Sequence, residues 1–184
     1  MVKPIKKFVV IGPESTGKST LCEKLASHFS ATYSKEYARE YLLEHGMAYS
    51  TDDLLLIAKG QIELENKAID IIKGDSAINP ILFIDTDMYV MKVWSEFVFN
   101  TCHLWILNQI VERKYDGYLL CTPDLPWVKD ELREYPDSET RDTLYHYYKD
   151  SLINQSVPWY EVSGLDPERT LGAIEWVNKI ICTT

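Results

Sequence analysis

The sequence predicts an α/β fold built on a five-stranded, mainly parallel sheet, and three observations lead to it. Five short runs rich in apolar, β-branched and aromatic residues recur along the chain. Helical periodicity fills most of the intervals between them. The first run ends in a glycine-rich loop that opens into the first helix. Runs apolar at consecutive positions suit strands covered by helices on both faces.

The elements follow in order. Phe8 to Ile11 forms the first strand, and Leu21, Leu25 and His28 or Phe29 then recur at helical spacing. Ala31 to Ser34 is a second strand leading into "KEYAREYLLEHG", where Tyr37, Tyr41 and Leu42 support a helix and Gly46 can stop it. Ser50 and Thr51, followed by Asp52 and Asp53, open a long helix along Leu55, Ala58, Ile62, Ile69 and Ile72, closed by Gly74. "NPILFIDTD" gives a third strand, Ile81 to Ile84, and a helical region runs from about Met88 into the lower hundreds. Tyr118 to Cys121 and Trp159 to Val162 are the fourth and fifth strands, and a last helix has Asp166 as N-cap and Pro167 at its first position. Between Thr122 and Ser138 lies an irregular, charged stretch with three prolines. A loop of that length in a compact fold reads as a lid, spanning about residues 123–141.

Length and composition set limits. At 184 residues, 46% hydrophobic and 26% charged, the chain reads as one soluble domain covering residues 1–184. A net charge of −9 and a pI of about 4.9 argue against a general nucleic-acid binder, which needs a basic face. The basic start "MVKPIKK" precedes too short an apolar run for a secretory signal, and no segment approaches the roughly 18 apolar residues of a membrane span. Cys22, Cys102, Cys121 and Cys182 are scattered, which fits a reducing cytoplasm, and the four histidines form no metal pattern.

The chemistry centres on Gly12-Pro13-Glu14-Ser15-Thr16-Gly17-Lys18-Ser19, which matches G-x-x-x-x-G-K-[ST] between a strand and a helix. Such a loop surrounds nucleotide phosphates with backbone N–H groups. The lysine adds a mobile positive charge, and the serine can ligate Mg²⁺. Gly12, Glu14, Ser15, Thr16, Gly17, Lys18, Ser19 and Thr20 are therefore the candidate nucleotide-binding residues. Glu14 is the odd member, a carboxylate inside an anion site. It is expected to turn from the phosphates toward the acceptor or Mg²⁺-bound water, or into a structural hydrogen bond.

Asp85, at the carboxyl end of the third strand, is the second candidate Mg²⁺ ligand beside Ser19. Asp87, two residues on, is either a second functional acid or a helix cap. Glu36, Arg39 and Glu40 share one helix face. Beyond a solvated ion pair, Glu36 just after the second strand is placed to act as general base, with Arg39 beside the substrate. In the lid, Lys129, Arg133 and Arg141 offer cations to a transferring phosphoryl group. Trp127 is either a core anchor or a ring that stacks on the substrate.

These features predict a three-layer phosphate-loop fold of the nucleoside-kinase kind. A GTPase needs Asn-Lys-x-Asp, and "NKAID" at 66–70 places Asp70 one position late. A motor or AAA-type ATPase normally carries a further helical domain, for which there is little room. Small-molecule kinases fit best. "GPESTGKST", "KEYAREYL", "FIDTDMYV" and "WVKDELR", in this order, make the chain from Phe8 to about Gly164 resemble the ribosylnicotinamide kinase domain of the bacterial NadR proteins. Those proteins also carry an adenylyltransferase domain and sometimes a DNA-binding domain; this chain shows neither, so NAD synthesis and operator binding are not expected of it.

The resemblance implies transfer of the γ-phosphoryl group of ATP to the 5′-hydroxyl of nicotinamide riboside, with Mg²⁺. On that expectation Lys18 holds phosphates, Arg133 and Arg141 stabilise the moving charge, and Glu36 or Asp87 accepts the proton. Trp127 stacks on the pyridinium ring, Asp87 or Glu36 binds the ribose hydroxyls, and Ser163 to Asp166 flanks adenine. The expected partner is this small molecule, with no nucleic acid or membrane; a homo-oligomer is left open. A kinase of another nucleoside and an ATP-binding regulatory switch are the competing classes.

Overall fold

The computed structural model describes residues 4–182. The first three residues of the basic start and the last two threonines lie outside it. In chain order the elements are β1 (Lys6–Ile11), α1 (Lys18–Phe29), β2 (Thr32–Ser34), α2 (Tyr37–His45), α3 (Thr51–Gly74), β3 (Ile81–Asp85), α4 (Met88–Phe99), α5 (Leu104–Glu112), β4 (Gly117–Cys121), α6 (Ser138–Ile153), β5 (Trp159–Val162) and α7 (Glu168–Cys182). The sheet has the order β2-β3-β1-β4-β5, and every strand pair is parallel.

Two-residue periodicity sorts the strands' side chains into two cores. Phe8, Val10, Phe83, Leu119 and Val162 face α1 and α7. Val9, Ile11, Leu82, Ile84 and Leu120 face α3, α4 and α6. A third cluster joins α2, α3, α4 and α5 through Leu42, Leu54, Ile57, Met88, Met91 and Ile106. The result is the predicted three-layer α/β fold, and because all five strands run the same way, the loops that follow them open at one edge of the sheet.

Three elements depart from expectation. Helix α6 has no clear signature in the sequence because its buried stripe, Leu144, Tyr145, Tyr148 and Leu152, is half tyrosine in an otherwise polar segment. Its start is marked by Asp137, whose carboxylate accepts from the Thr140 N–H at 2.7 Å. The helical region after Met88 breaks into α4 and α5, with Asn100 in the left-handed region at φ 52° and His103 capping α5. Helix α7 starts at Glu168, not at Pro167; the Asp166 carboxylate takes Lys24 at 2.6 Å and the Thr170 hydroxyl.

Two buried side chains of α3 fix the sheet edge. Glu65 accepts from Lys7 Nζ (3.2 Å), Arg113 Nε (3.1 Å) and Tyr115 OH (3.0 Å), joining α3 to β1 and to the α5–β4 turn. Gln61 accepts from the Tyr37 N–H at 2.8 Å and donates through Nε2 to the carbonyls of Lys35 (3.1 Å) and Asp85 (3.2 Å). Immediately before it, Gly60 lets the Tyr37 ring lie on the helix: a Cβ there would fall 2.1 Å from Tyr37 Cε1. Gly60→Ala is therefore expected to lose about 1–2 kcal/mol in chemical denaturation, because overpacking outweighs the gain in helix propensity. Equal or higher stability would mean that Tyr37 does not bear on α3 as described.

Candidate active site

The loop after β1 owes its shape to two glycines. Gly12 has φ 145°, and a Cβ on it would lie 2.6 Å from the Cys121 carbonyl at the end of β4; Gly17 has φ 77°. Ser15 also takes the left-handed region, at φ 57°. Inside the loop Thr16 is buried, and its hydroxyl donates to the Pro13 carbonyl at 2.8 Å, which Lys18 Nζ also reaches at 2.9 Å. Lys18, Ser19 and Thr20 form the first turn of α1, so the positive end of that helix faces the loop.

Asp85 ends β3 beside this turn and is almost fully buried. Burial, and next the nearby Glu36 charge, push its carboxyl up to about 7, against the opposing pull of Lys18 and the Ser19 hydroxyl. Its Oδ1 has no hydrogen-bond partner among the described residues. A buried, unpartnered carboxylate oxygen next to a hydroxyl and a second acid is what a hard divalent cation would satisfy. Among the described residues no group of three or more His, Cys, Asp or Glu side chains forms a cation cage.

A cleft of about 260 Å³ lies above these groups. It brings together Gly12, Glu14 to Thr20, Glu36, Arg39 and Arg133 of the expected residues. Trp94, Phe97, Tyr135 and Tyr148 complete its wall with aromatic surface. A separate open groove of about 750 Å³ between α4 and α6 contains none of the expected residues.

Four expected roles are corrected by the geometry. Asp87 is buried and does not line the cleft: Oδ1 accepts from the Tyr89 N–H and Oδ2 from Tyr118 OH, each at 2.9 Å, so it serves as the cap of α4. Trp127 is absent from the cleft wall, and its indole N–H donates to Glu14 Oε1 at 2.8 Å. Arg141 is buried under the loop, where Nη2 reaches the carbonyls of Leu125 (3.2 Å), Pro123 (3.4 Å) and Ser15 (3.5 Å) and does not face the cleft. The Glu14 carboxylate points neither to the acceptor nor to a metal-bound water, because the segment after β4 takes both of its oxygens.

Other groups hold the rim. Arg39 pairs with Asp130 through two hydrogen bonds of 3.1 Å, and Arg133 Nη1 donates to the Val128 carbonyl while its residue lines the cleft. Lys129 is exposed. Gly164, in the stretch expected beside adenine, donates its N–H to Asp124 at 2.6 Å. Sequence reasoning missed Arg169 and Gln61. Arg169 is buried and donates to Asp124 (2.8 Å) and to the carbonyls of Thr16 (2.9 Å), Gly164 (3.1 Å) and Thr122 (3.4 Å). An arginine in the first turn of a helix gave no signal for that, and Gln61 sits unremarkably within a helical pattern.

Burial also pushes the Asp87 carboxyl up to about 7. A folded-state value above the unfolded one means that the native protein holds the extra proton, so this contribution to stability is complete below about pH 4 and lost as pH rises toward 7. Asp87→Asn, which keeps an acceptor for Tyr89, is therefore expected to gain on the parent protein by at least about 1 kcal/mol between pH 5 and pH 8. Denaturation midpoints at both pH values check this, and a pH-independent difference would contradict it.

A family model described as an AAA domain matches residues 7–169. The trifunctional NAD biosynthesis/regulator proteins NadR of Salmonella typhimurium and Escherichia coli are 29% and 28% identical to the chain, over 98% of it and 44% of their own length. Among solved structures, a NadR protein in complex with NR and one in complex with NAD and AMP-PNP align with TM-scores of 0.78 at 24% and 23% identity, over 96% of this chain and 49% of theirs. Thymidylate kinase from Candida albicans aligns with a TM-score of 0.62 at 17% identity, over 98% of this chain and 95% of its own. The chain thus spans about half the length of its NadR relatives, and the structural neighbours establish its fold as that of phosphate-loop kinases. Among the described residues no helix is long and apolar enough to cross a membrane. The expectation against an AAA-type ATPase rested on room for a further helical domain, and it gives way to the family match as a matter of classification. The NadR-like motifs read from the sequence have their counterpart in these similarities, and with the model spanning residues 7–169 the chain belongs to the AAA-domain family of phosphate-loop proteins.

Proposed function

We propose that the chain is an ATP-dependent kinase, acting as one domain in a reducing cytoplasm, that phosphorylates the 5′-hydroxyl of nicotinamide riboside to nicotinamide mononucleotide. One observation carries the reading: a single cleft is lined by the phosphate loop, Glu36 and Arg133, with Asp85 buried close to Glu36 and Lys18. The similarity to NadR, named for NAD biosynthesis and solved with NR and with AMP-PNP, supports this substrate pair.

In this mechanism the N–H groups of residues 14–20 and Lys18 hold the β- and γ-phosphates of ATP. Ser19 and Asp85 are the groups that would hold Mg²⁺, which when bound neutralises charge on those phosphates. Glu36 accepts the proton of the 5′-hydroxyl as its oxygen bonds to the γ-phosphorus and the bond to the bridging oxygen of ADP breaks. The burial of Asp87 favours Glu36 among the two acids. Residues 123–137, the part of the expected lid that precedes α6, act as the lid, and Arg133 supplies charge to the equatorial oxygens. Trp94, Phe97, Tyr135 and Tyr148 take the role first expected of Trp127, an aromatic wall for a cationic pyridinium ring. The thymidylate kinase likeness favours a second reading, in which the same machinery serves another nucleoside or nucleotide.

ADP release assayed against a panel of nucleosides and thymidylate separates these readings. Nicotinamide riboside is expected to be the preferred acceptor; preference for thymidylate, or hydrolysis without acceptor preference, would reject the riboside assignment. Lys18→Ala is expected to lower phosphoryl transfer by about a hundredfold or more while circular dichroism stays unchanged. Retained turnover in that variant would remove the phosphate-loop mechanism.

A further inference from the structure

The reaction proposed above leaves one charged residue of the phosphate loop without a task. The Glu14 carboxylate receives the Trp127 indole N–H at 2.8 Å, the Glu134 backbone N–H at 2.9 Å and the Tyr135 backbone N–H at 3.0 Å. Two of these donors directly follow Arg133, and the third comes from the far side of the same excursion. Ser15 adds two contacts, its hydroxyl oxygen accepting from the Val128 N–H at 3.0 Å and its hydroxyl donating to the Pro126 carbonyl at 3.4 Å. The side chains of Glu14 and Ser15 thus serve residues 126–135.

We propose that Glu14 is a positioning residue, a latch that fastens the segment carrying Arg133 to the phosphate loop. Hydrogen bonds to a carboxylate are about twice as strong as those between neutral groups. Without the carboxylate, two backbone N–H groups and an indole N–H lose their partner at once. Besides the two Ser15 contacts and the packing of Leu132 and Tyr135 on the body, the segment's polar ties include the Arg39–Asp130 pair and the Tyr49–Glu134 hydrogen bond, both exposed and correspondingly weak. The arrangement also answers the electrostatic objection to an acid in an anion site: three donors draw the charge of Glu14 to the far side of the loop. Because the same two residues contribute backbone to the phosphate cradle and side chains to the latch, order in the segment and occupancy of the cradle are coupled. The latch rests on the kinase reading only for what Arg133 does once held.

Trypsin tests it directly, since Lys129 and Arg133 both lie within the latched segment. In Glu14→Ala, cleavage after these residues is expected to accelerate by about tenfold or more, tracking the more populated open form. The Trp127 indole N–H resonance, assigned by its loss in Trp127→Phe, is expected to shift. In the riboside kinase assay kcat falls by about ten- to a hundredfold while KM for ATP changes by only a few-fold. Glu14→Gln, which keeps an acceptor for two donors but presents an amide to the third, falls between Ala and the parent in all three measurements. Unchanged cleavage and an unmoved indole resonance in Glu14→Ala overturn the latch. So does a rise in riboside KM alone with cleavage unchanged, which would make Glu14 an acceptor-side residue. If Glu14→Ala does not fold, Trp127→Phe carries the cleavage test with a smaller acceleration expected, and no acceleration overturns the proposal. Should the parent protein phosphorylate no riboside, the kinase reading fails while cleavage and the indole signal still decide the latch.

Discussion

The buried guanidinium of Arg169 is the contact on which the site's architecture depends. A parallel sheet delivers the loops after β1, β4 and β5 to one edge, but does not join them. Arg169 does so, taking carbonyls from Thr16, Thr122 and Gly164 and the carboxylate of Asp124. Arg141 repeats the device next to it with Ser15, Pro123 and Leu125. Carbonyl oxygens gathered beneath the loop leave its N–H groups for whatever anion arrives above. Two positive side chains, Arg141 that sequence logic places on phosphate and Arg169 that it passes over, thus stand behind the loop, where they hold its backbone in shape.

Charge is distributed accordingly. The cleft is lined by Lys18 and Arg133 as well as Glu36, with Asp85 buried nearby, inside a protein of net charge −9. Asp85 is left with an unpartnered oxygen, whereas Asp87, equally buried, is fully bonded. Two acids from one tripeptide end in opposite roles because the first closes a strand and the second opens a helix.

What was legible in the sequence is what backbone geometry dictates. All five strands were recognisable within two residues: β3 and β4 and most of β1 are buried and largely apolar, while the half-buried edge strands β2 and β5 kept β-branched or aromatic residues. The phosphate loop was legible because Gly12 and Gly17 adopt conformations and approaches that side chains forbid. Helix α6 was hidden by composition, as tyrosines did the work usually done by aliphatic residues. Trp127, Arg141 and Glu14 were recognised as notable but assigned to ligands, because their real partners lie more than a hundred residues away, or are backbone carbonyls that no residue pattern encodes.

Gln61 adds a further consequence. One side-chain amide bonds the N–H of the residue after Glu36 and the carbonyl of Asp85 itself. The acids at the ends of β2 and β3 therefore share a single spacer rooted in α3. Asp85 is itself paired in register with Val10 on β1, the strand that runs into the phosphate loop. Through Gln61 the backbone beside Glu36 is therefore referred to the same rigid frame that carries Lys18 and Ser19. In mechanical terms Gln61 is a gauge block: it sets the distance of the acid on the α2 side from the rest of the site as a fixed dimension of the scaffold.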